Sequence, residues 1–210
     1  MSSSLPPLRP CLPLLAVALL SGCSIAGTQR VADGASSSRS YNSVAGEVRV
    51  GRDATINNAR NVAGTIDIGD RATTGSLETV AGEIKVGEGV KIDGDVSTVA
   101  GEIRLGRGTR VSGDVATIAG DIRLDGCHVE GAVRLAQGSL RTRGAVVLSR
   151  GIVVRRPKPD DNDDRDPARI DLGPGAEVAS IEVEPDTEVD LRVSRDARVG
   201  KITGATATPY

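Results

Sequence analysis

The chain has 210 residues, 39% of them hydrophobic and 26% charged, with no Phe or Trp, two Tyr, one His and a formal net charge of −2. One histidine rules out a three-histidine metal site, Tyr41 and Tyr210 are too few to build a stacking platform for sugars or bases, and the near-neutral charge offers no basic field to nucleic acid. Its 26 glycines, set among Val, Ile and Ala, predict short β-segments joined by tight turns.

Residues 1–22 have the form of an address. Arg9 is the only charge, and the apolar stretch Leu12–Leu20, broken once by Pro13, is too short to cross a bilayer core of about 30 Å as a helix. It fits the h-region of a signal peptide. Leu20-Ser21-Gly22-Cys23 follows directly and resembles the lipobox of bacterial lipoproteins. The resemblance implies diacylglycerol on the Cys23 thiol, cleavage before it, and palmitate-type acylation of the new N-terminus. Several chains on one residue anchor stably where one chain is marginal. Ser24 stands where Asp often marks inner-membrane retention in such lipoproteins, which implies the outer membrane, in either leaflet. Cys127 is then the one unmodified cysteine of the mature chain, so no internal disulfide is expected. Residues 23–42, with Ser36-Ser37-Ser38 and few apolar side chains, are expected to form a flexible tether.

From residue 43 the chain repeats. SVAGEVRVG begins at Ser43, NVAGTIDIG at Asn61, TVAGEIKVG at Thr79, TVAGEIRLG at Thr98 and TIAGDIRLD at Thr117, at spacings of 18, 18, 19 and 19 residues. Such a unit cannot bury a core alone, but stacked copies can. In Glu83-Ile84-Lys85-Val86 the alternation sends Ile84 and Val86 inward and leaves Glu83 and Lys85 in water. Three short strands per turn predict an all-β fold, a triangular β-solenoid of about 18–19 residues per rung with rungs about 4.8 Å apart. Equivalent residues should stack into aliphatic columns: Val44, Val62, Val80, Val99 and Ile118; Val48, Ile66, Ile84, Ile103 and Ile122; and Val50, Ile68, Val86, Leu105 and Leu124. A narrow prism filled with β-branched residues leaves no room for Phe or Trp.

Regularity falls after Gly120, and Arg134–Val154 is only loosely periodic. Residues 155–169, proline-punctuated and acidic across Asp160–Asp166, read as a loop. The cluster lacks the glycine and glutamate positions of a calcium-binding loop, and no metal site is expected. Periodicity returns over 170–210, which should add rungs or a cap to the solenoid of 43–154.

The spacing and the G-D-V and A-G-E-I phrases resemble bactofilins, bacterial polymer-forming β-solenoids, and adhesin-type repeat proteins. The likeness covers about 43–154 with an echo at 170–204. It implies polymerisation through apolar end rungs. Rungs such as Val86–Lys91 also fit the hexapeptide pattern of left-handed β-helix acyltransferases, which leaves the handedness open. Those enzymes use a histidine at a subunit cleft, and His128 is the one candidate here, but no carboxylate stands at a spacing that would orient it. Adjacent Cys127 points to the opposite side of a strand, which argues against a Cys–His pair.

Glu83, Glu102 and Asp121 should form an acidic column beside a basic one of Lys85, Arg104 and Arg123. Together they are either a solvated face or a flat surface for an anionic envelope glycan or a partner lipoprotein. The expectation is therefore a lipid-anchored envelope protein with a non-catalytic scaffold or self-assembly role and no cofactor. Its partners are the membrane, through the N-terminal lipid, and a second copy, through the end rungs. An adhesin-like binding module on the charged face is the alternative, and a hexapeptide-type acyltransferase comes third.

Overall fold

A computed structural model describes residues 23–155 and 167–210. The signal segment with Leu20, Ser21 and Gly22, and the Asp160–Asp166 cluster, lie outside them. Period-two alternation and frequent glycine favour strands over helix, and the described residues contain strands and turns but no helix. The strands are β1 (Cys23–Ala26), β2 (Gln29–Val31), β3 (Tyr41–Val50), β4 (Ala59–Ile68), β5 (Thr73–Thr74), β6 (Leu77–Val86) and β7 (Lys91–Ile92). They continue as β8 (Val96–Leu105), β9 (Arg110–Val111), β10 (Val115–Asp125), β11 (His128–Val129), β12 (Val133–Gln137), β13 (Ser139–Arg143), β14 (Val147–Leu148) and β15 (Ile152–Val154). After the insertion come β16 (Ala168–Leu172), β17 (Glu177–Val183), β18 (Val189–Val193), β19 (Arg198–Thr203) and β20 (Ala207–Pro209).

Each strand pairs in parallel with its equivalent one turn later, giving a β-solenoid of about nine turns. The register brings Val48, Ile66, Ile84, Ile103, Ile122, Leu140, Ile170 and Leu191 into one column. All of them are at most 1% exposed. Each such side chain stabilises the stack by about 1.5–3 kcal/mol relative to leaving it in water. Because β15 pairs with β12 and β16 with β13, β15 and β16 are the first and second faces of one rung, and β16–β20 prolong the same columns.

One turn consists of a first face (Leu77–Thr79 in the third repeat), a Val-Ala-Gly corner, a second face (Glu83–Val86), a second corner, a short third face (Lys91–Ile92) and a third corner. The change from 18- to 19-residue spacing sits at the third corner: Thr74 pairs with Ile92, whereas Leu77 pairs with Val96. One extra residue among Asp93-Gly94-Asp95 is taken up there without disturbing any inward column. At the first corner a glycine is obligatory. Gly82 has φ +152°, and a Cβ there would run into the carbonyl oxygen of Gly64 one rung below.

The expected flexible tether over 23–42 is corrected by the structure. Cys23 pairs with Asn42 and Ala26 with Ala45, Gln29–Val31 pairs with Val48–Val50, and Ser36 bridges Thr55. Val31 is 5% exposed, and its carbonyl accepts a hydrogen bond from Gly51 N at 2.9 Å. A rung needs only a few inward side chains, and its backbone groups are satisfied by the neighbouring turn. The serines here occupy outward or turn positions of a terminal rung.

Candidate functional site

Alternation along the first face decides which side chains leave the prism. Leu77 and Thr79 point inward, so Val80 points outward; Val96, Thr98 and Val99 repeat the pattern. The column Val44, Val62, Val80, Val99, Ile118 does stack, but on the outside, with each member 43–54% exposed. This corrects the expectation that it helps to fill the prism. The strand turns at Ala-Gly, so the parity set by Leu77, not by Ile84, governs the valine. Ala45, Ala63, Ala81, Ala100 and Ala119 beside it are exposed as well. Among the described residues Tyr210 alone joins these five as an exposed large hydrophobic side chain. The result is a narrow apolar ridge along one corner.

Directly behind the ridge lies a polar column. Ser43, Asn61, Thr79, Thr98 and Thr117 are 3–5% exposed. Ser43 Oγ donates to Ala45 O at 3.3 Å and Asn61 Nδ2 to Gly46 O at 2.9 Å, whereas the Oγ1 atoms of Thr79, Thr98 and Thr117 find no protein partner. A buried hydroxyl without a partner costs about 1–3 kcal/mol. Threonine and valine have nearly the same shape, so exchanging each Thr-Val pair would remove this cost and cover the valine. Rungs further along have that arrangement: the inward column continues as Leu135, Val154 and Val183, and the residues that follow them are Ala136, Arg155 and Glu184.

The second face carries the charged columns. Lys85 Nζ lies 3.0 Å from Glu83, and Arg104 reaches Glu83 at 3.4 Å and Glu102 at 2.7 Å. Arg123 reaches Glu102 at 2.8 Å. Asp121 accepts from Ser139 N and Ser139 Oγ at 3.1 and 2.6 Å. All six residues thus lie on one face, in register; five of the charges are paired within or between rungs, and Asp121 is held by Ser139. The hydrogen bond from Arg104 comes first in holding the Glu102 carboxyl below the usual range, and the nearby Arg104 and Arg123 charges reinforce it. The 18-residue step continues the basic column to Arg141, which pairs with Arg123 in the register, an extension that the spacing of Arg123 and Arg141 would have revealed.

Cys127, just before β11, points inward, and His128, the first residue of β11, points outward. The thiol is 2% exposed, and burial pushes it up to about 12, where it is unreactive at neutral pH. The outward His128 Nε2 lies 3.0 Å from Ser149 Oγ, with Arg110 and Val147 as its register neighbours. Among the described residues no group of three or more His, Cys, Asp or Glu could hold a metal ion. In comparisons with known proteins, the chain matches no family, no curated protein and no solved structure.

Proposed function

We propose that this chain is a lipid-anchored envelope scaffold, a rigid rod held at the membrane by acylated Cys23. The observation that supports this most is where the stack begins. Cys23, the last residue of the Leu20–Cys23 lipobox-like motif, is itself the first residue of β1 and pairs with Asn42. An acyl anchor there is attached to the first rung of the solenoid, with no slack chain between lipid and fold. The site argues for a structural role as well. The charged face is largely paired internally, and His128 meets a serine, with no carboxylate there to orient it as a base.

An anchor at Cys23 puts the last described rungs at the far end of the stack from the membrane. Val199 and Ile202 in β19 are only half-buried, and a solenoid end of this kind offers both apolar surface and backbone edge to a second copy. Tail-to-tail assembly follows. Two measurements test the proposal in the full chain. Metabolic labelling with an alkyne fatty acid should mark the parent and fail on Cys23→Ser, which should also leave the membrane fraction. A parent chain that takes no label would overturn the anchor. Ile202→Lys should lower the sedimented mass of detergent-extracted protein if the terminal rungs pair, and an unchanged mass would overturn end-to-end assembly.

A further inference from the structure

We infer that the valine ridge is a second, lateral self-association surface, which seats the same ridge of another copy of this chain. It is independent of the anchor and of the terminal rungs. The inverted order at this corner points outward. In the first five repeats the polar residue is buried and the aliphatic one exposed, whereas the same positions further along are filled conventionally by Leu135, Val154 and Val183 inside and by Arg155 and Glu184 outside. The solenoid therefore holds together without the inversion, and the exposed valines serve something beyond the prism.

A second copy fits that surface by its pitch. The ridge tips recur at the strand spacing, so five of them span about 19 Å in steps of about 4.8 Å. A rigid ladder of that pitch interdigitates best with another of the same pitch, as identical side chains do between paired sheets, and self-complementarity is what a twofold interface requires. The five aliphatic side chains and the adjacent alanines would cover on the order of 500 Å² per copy, against about 800 Å² a side for a standard interface. The flanking columns supply the rim, and they do not repel: Arg60 pairs with Glu78 at 3.1 Å on one flank, and Glu83 and Glu102 are paired on the other. A lipid surface fits less well. Interfacial binding favours Trp, Phe or Leu beside Lys and Arg, whereas this ridge carries only Val, Ile and Ala.

Cysteine cross-linking in the full chain tests the inference, with the parent setting the background from its own cysteines. Val80 is the middle ridge residue and meets its counterpart whether the two copies run in the same or in opposite directions. Val80→Cys should give a dimer band under mild oxidation at least tenfold faster than Lys91→Cys on the third face. Val44→Cys then gives a dimer alone only for parallel copies, and needs Ile118→Cys as partner for antiparallel ones. Equal rates at positions 80 and 91 would overturn the inference. So would a Val80→Cys thiol shielded from a water-soluble maleimide yet uncross-linked, since another occupant then covers the ridge. Val80→Lys with Val99→Lys, both at exposed positions, should reduce association at least tenfold without unfolding the chain, and unchanged association would count against the ridge. Lys201→Cys at the terminal rung separates the two assemblies: cross-links there but not at 80 leave tail-to-tail pairing standing alone, and the converse leaves only the lateral contact.

Discussion

Residues 41–125 and 126–209 share the same inward columns but differ at one corner. In the first region four ten-residue strands and one of eleven run unbroken around a Val-Ala-Gly or Ile-Ala-Gly bend. In the second, the strands are shorter, the first bend is Ala136-Gln137-Gly138, and the outward column becomes Arg155 and Glu184, which face each other at 3.8 Å. The core does not register the change: Ile122, Leu140 and Ile170 remain fully buried across it. Packing in this fold is thus decided by the inward residues of each face, and the first corner is free to vary as long as the chain can turn. What the first region adds at that corner is an uninterrupted glycine ladder and an aliphatic edge.

The ladder is where the comparison breaks most easily. At Gly82 a Cβ would strike the Gly64 carbonyl, and the positive φ disfavours any L side chain. Gly82→Ala should cost about 3 kcal/mol or more, because strain and backbone displacement act together. Gly108 at a second corner also has positive φ, +68°, but its nearest neighbours to a new Cβ are 3.7 Å away. Gly108→Ala should cost only about 1–2 kcal/mol, the penalty of the left-handed conformation alone. Denaturant unfolding of both variants checks the difference, and equal losses would mean that close approach between rungs is not what fixes glycine at the first corner.

Most of this architecture was legible because the repeat prints it. Ile84 and Val86 alternate with Glu83 and Lys85, and 18- and 19-residue spacings place their equivalents in register. The outward turn of Val80 was harder to see. A valine between a threonine and an alanine looks like core until the parity is counted from Leu77 across the bend, and nothing local marks where the bend resets that parity. Residues 23–42 hide their strands for a different reason. A terminal rung is half-covered, so its composition is polar and serine-rich, and its strands are identifiable only by what they pair with. The charged columns were legible as columns, but whether Glu102 and Arg104 serve a ligand or each other is a matter of distances, which no spacing supplies.

The inverted corner can be sharpened by undoing it in one rung. Thr98→Val removes an unpartnered buried hydroxyl at constant shape and should stabilise the chain by about 1 kcal/mol. Val99→Thr places the hydroxyl outside at an exposed position and should leave stability within about 0.5 kcal/mol. The two together should give a more stable solenoid with a gap in its ridge, and so weaker lateral association, a combination that separates folding from assembly. Thermal unfolding and sedimentation on the same samples measure both. A destabilised Thr98→Val would show that its hydroxyl has a partner after all, and would remove the argument that this corner is built against its own stability.

The smallest effect concerns the charged face that the regular rungs share. Glu102 lies between Arg104 and Arg123, and its carboxyl is held below the usual range, first by the Arg104 hydrogen bond. A group whose pKa is lower in the folded chain stabilises it fully above its unfolded pKa and ceases to do so as pH falls through the folded value. The contribution should therefore be present at pH 7 and shrink once the pH drops below about 4, where an unfolded glutamate takes up its proton. For a partly exposed pair at the surface it should stay under about 1 kcal/mol and weaken with salt. Glu102→Gln should accordingly be less stable than the parent at pH 7 and nearly equal to it at pH 2. Denaturant unfolding of both chains at the two pH values measures it, and a gap that persists at pH 2 would mean that the loss comes from packing and not from the Glu102 charge.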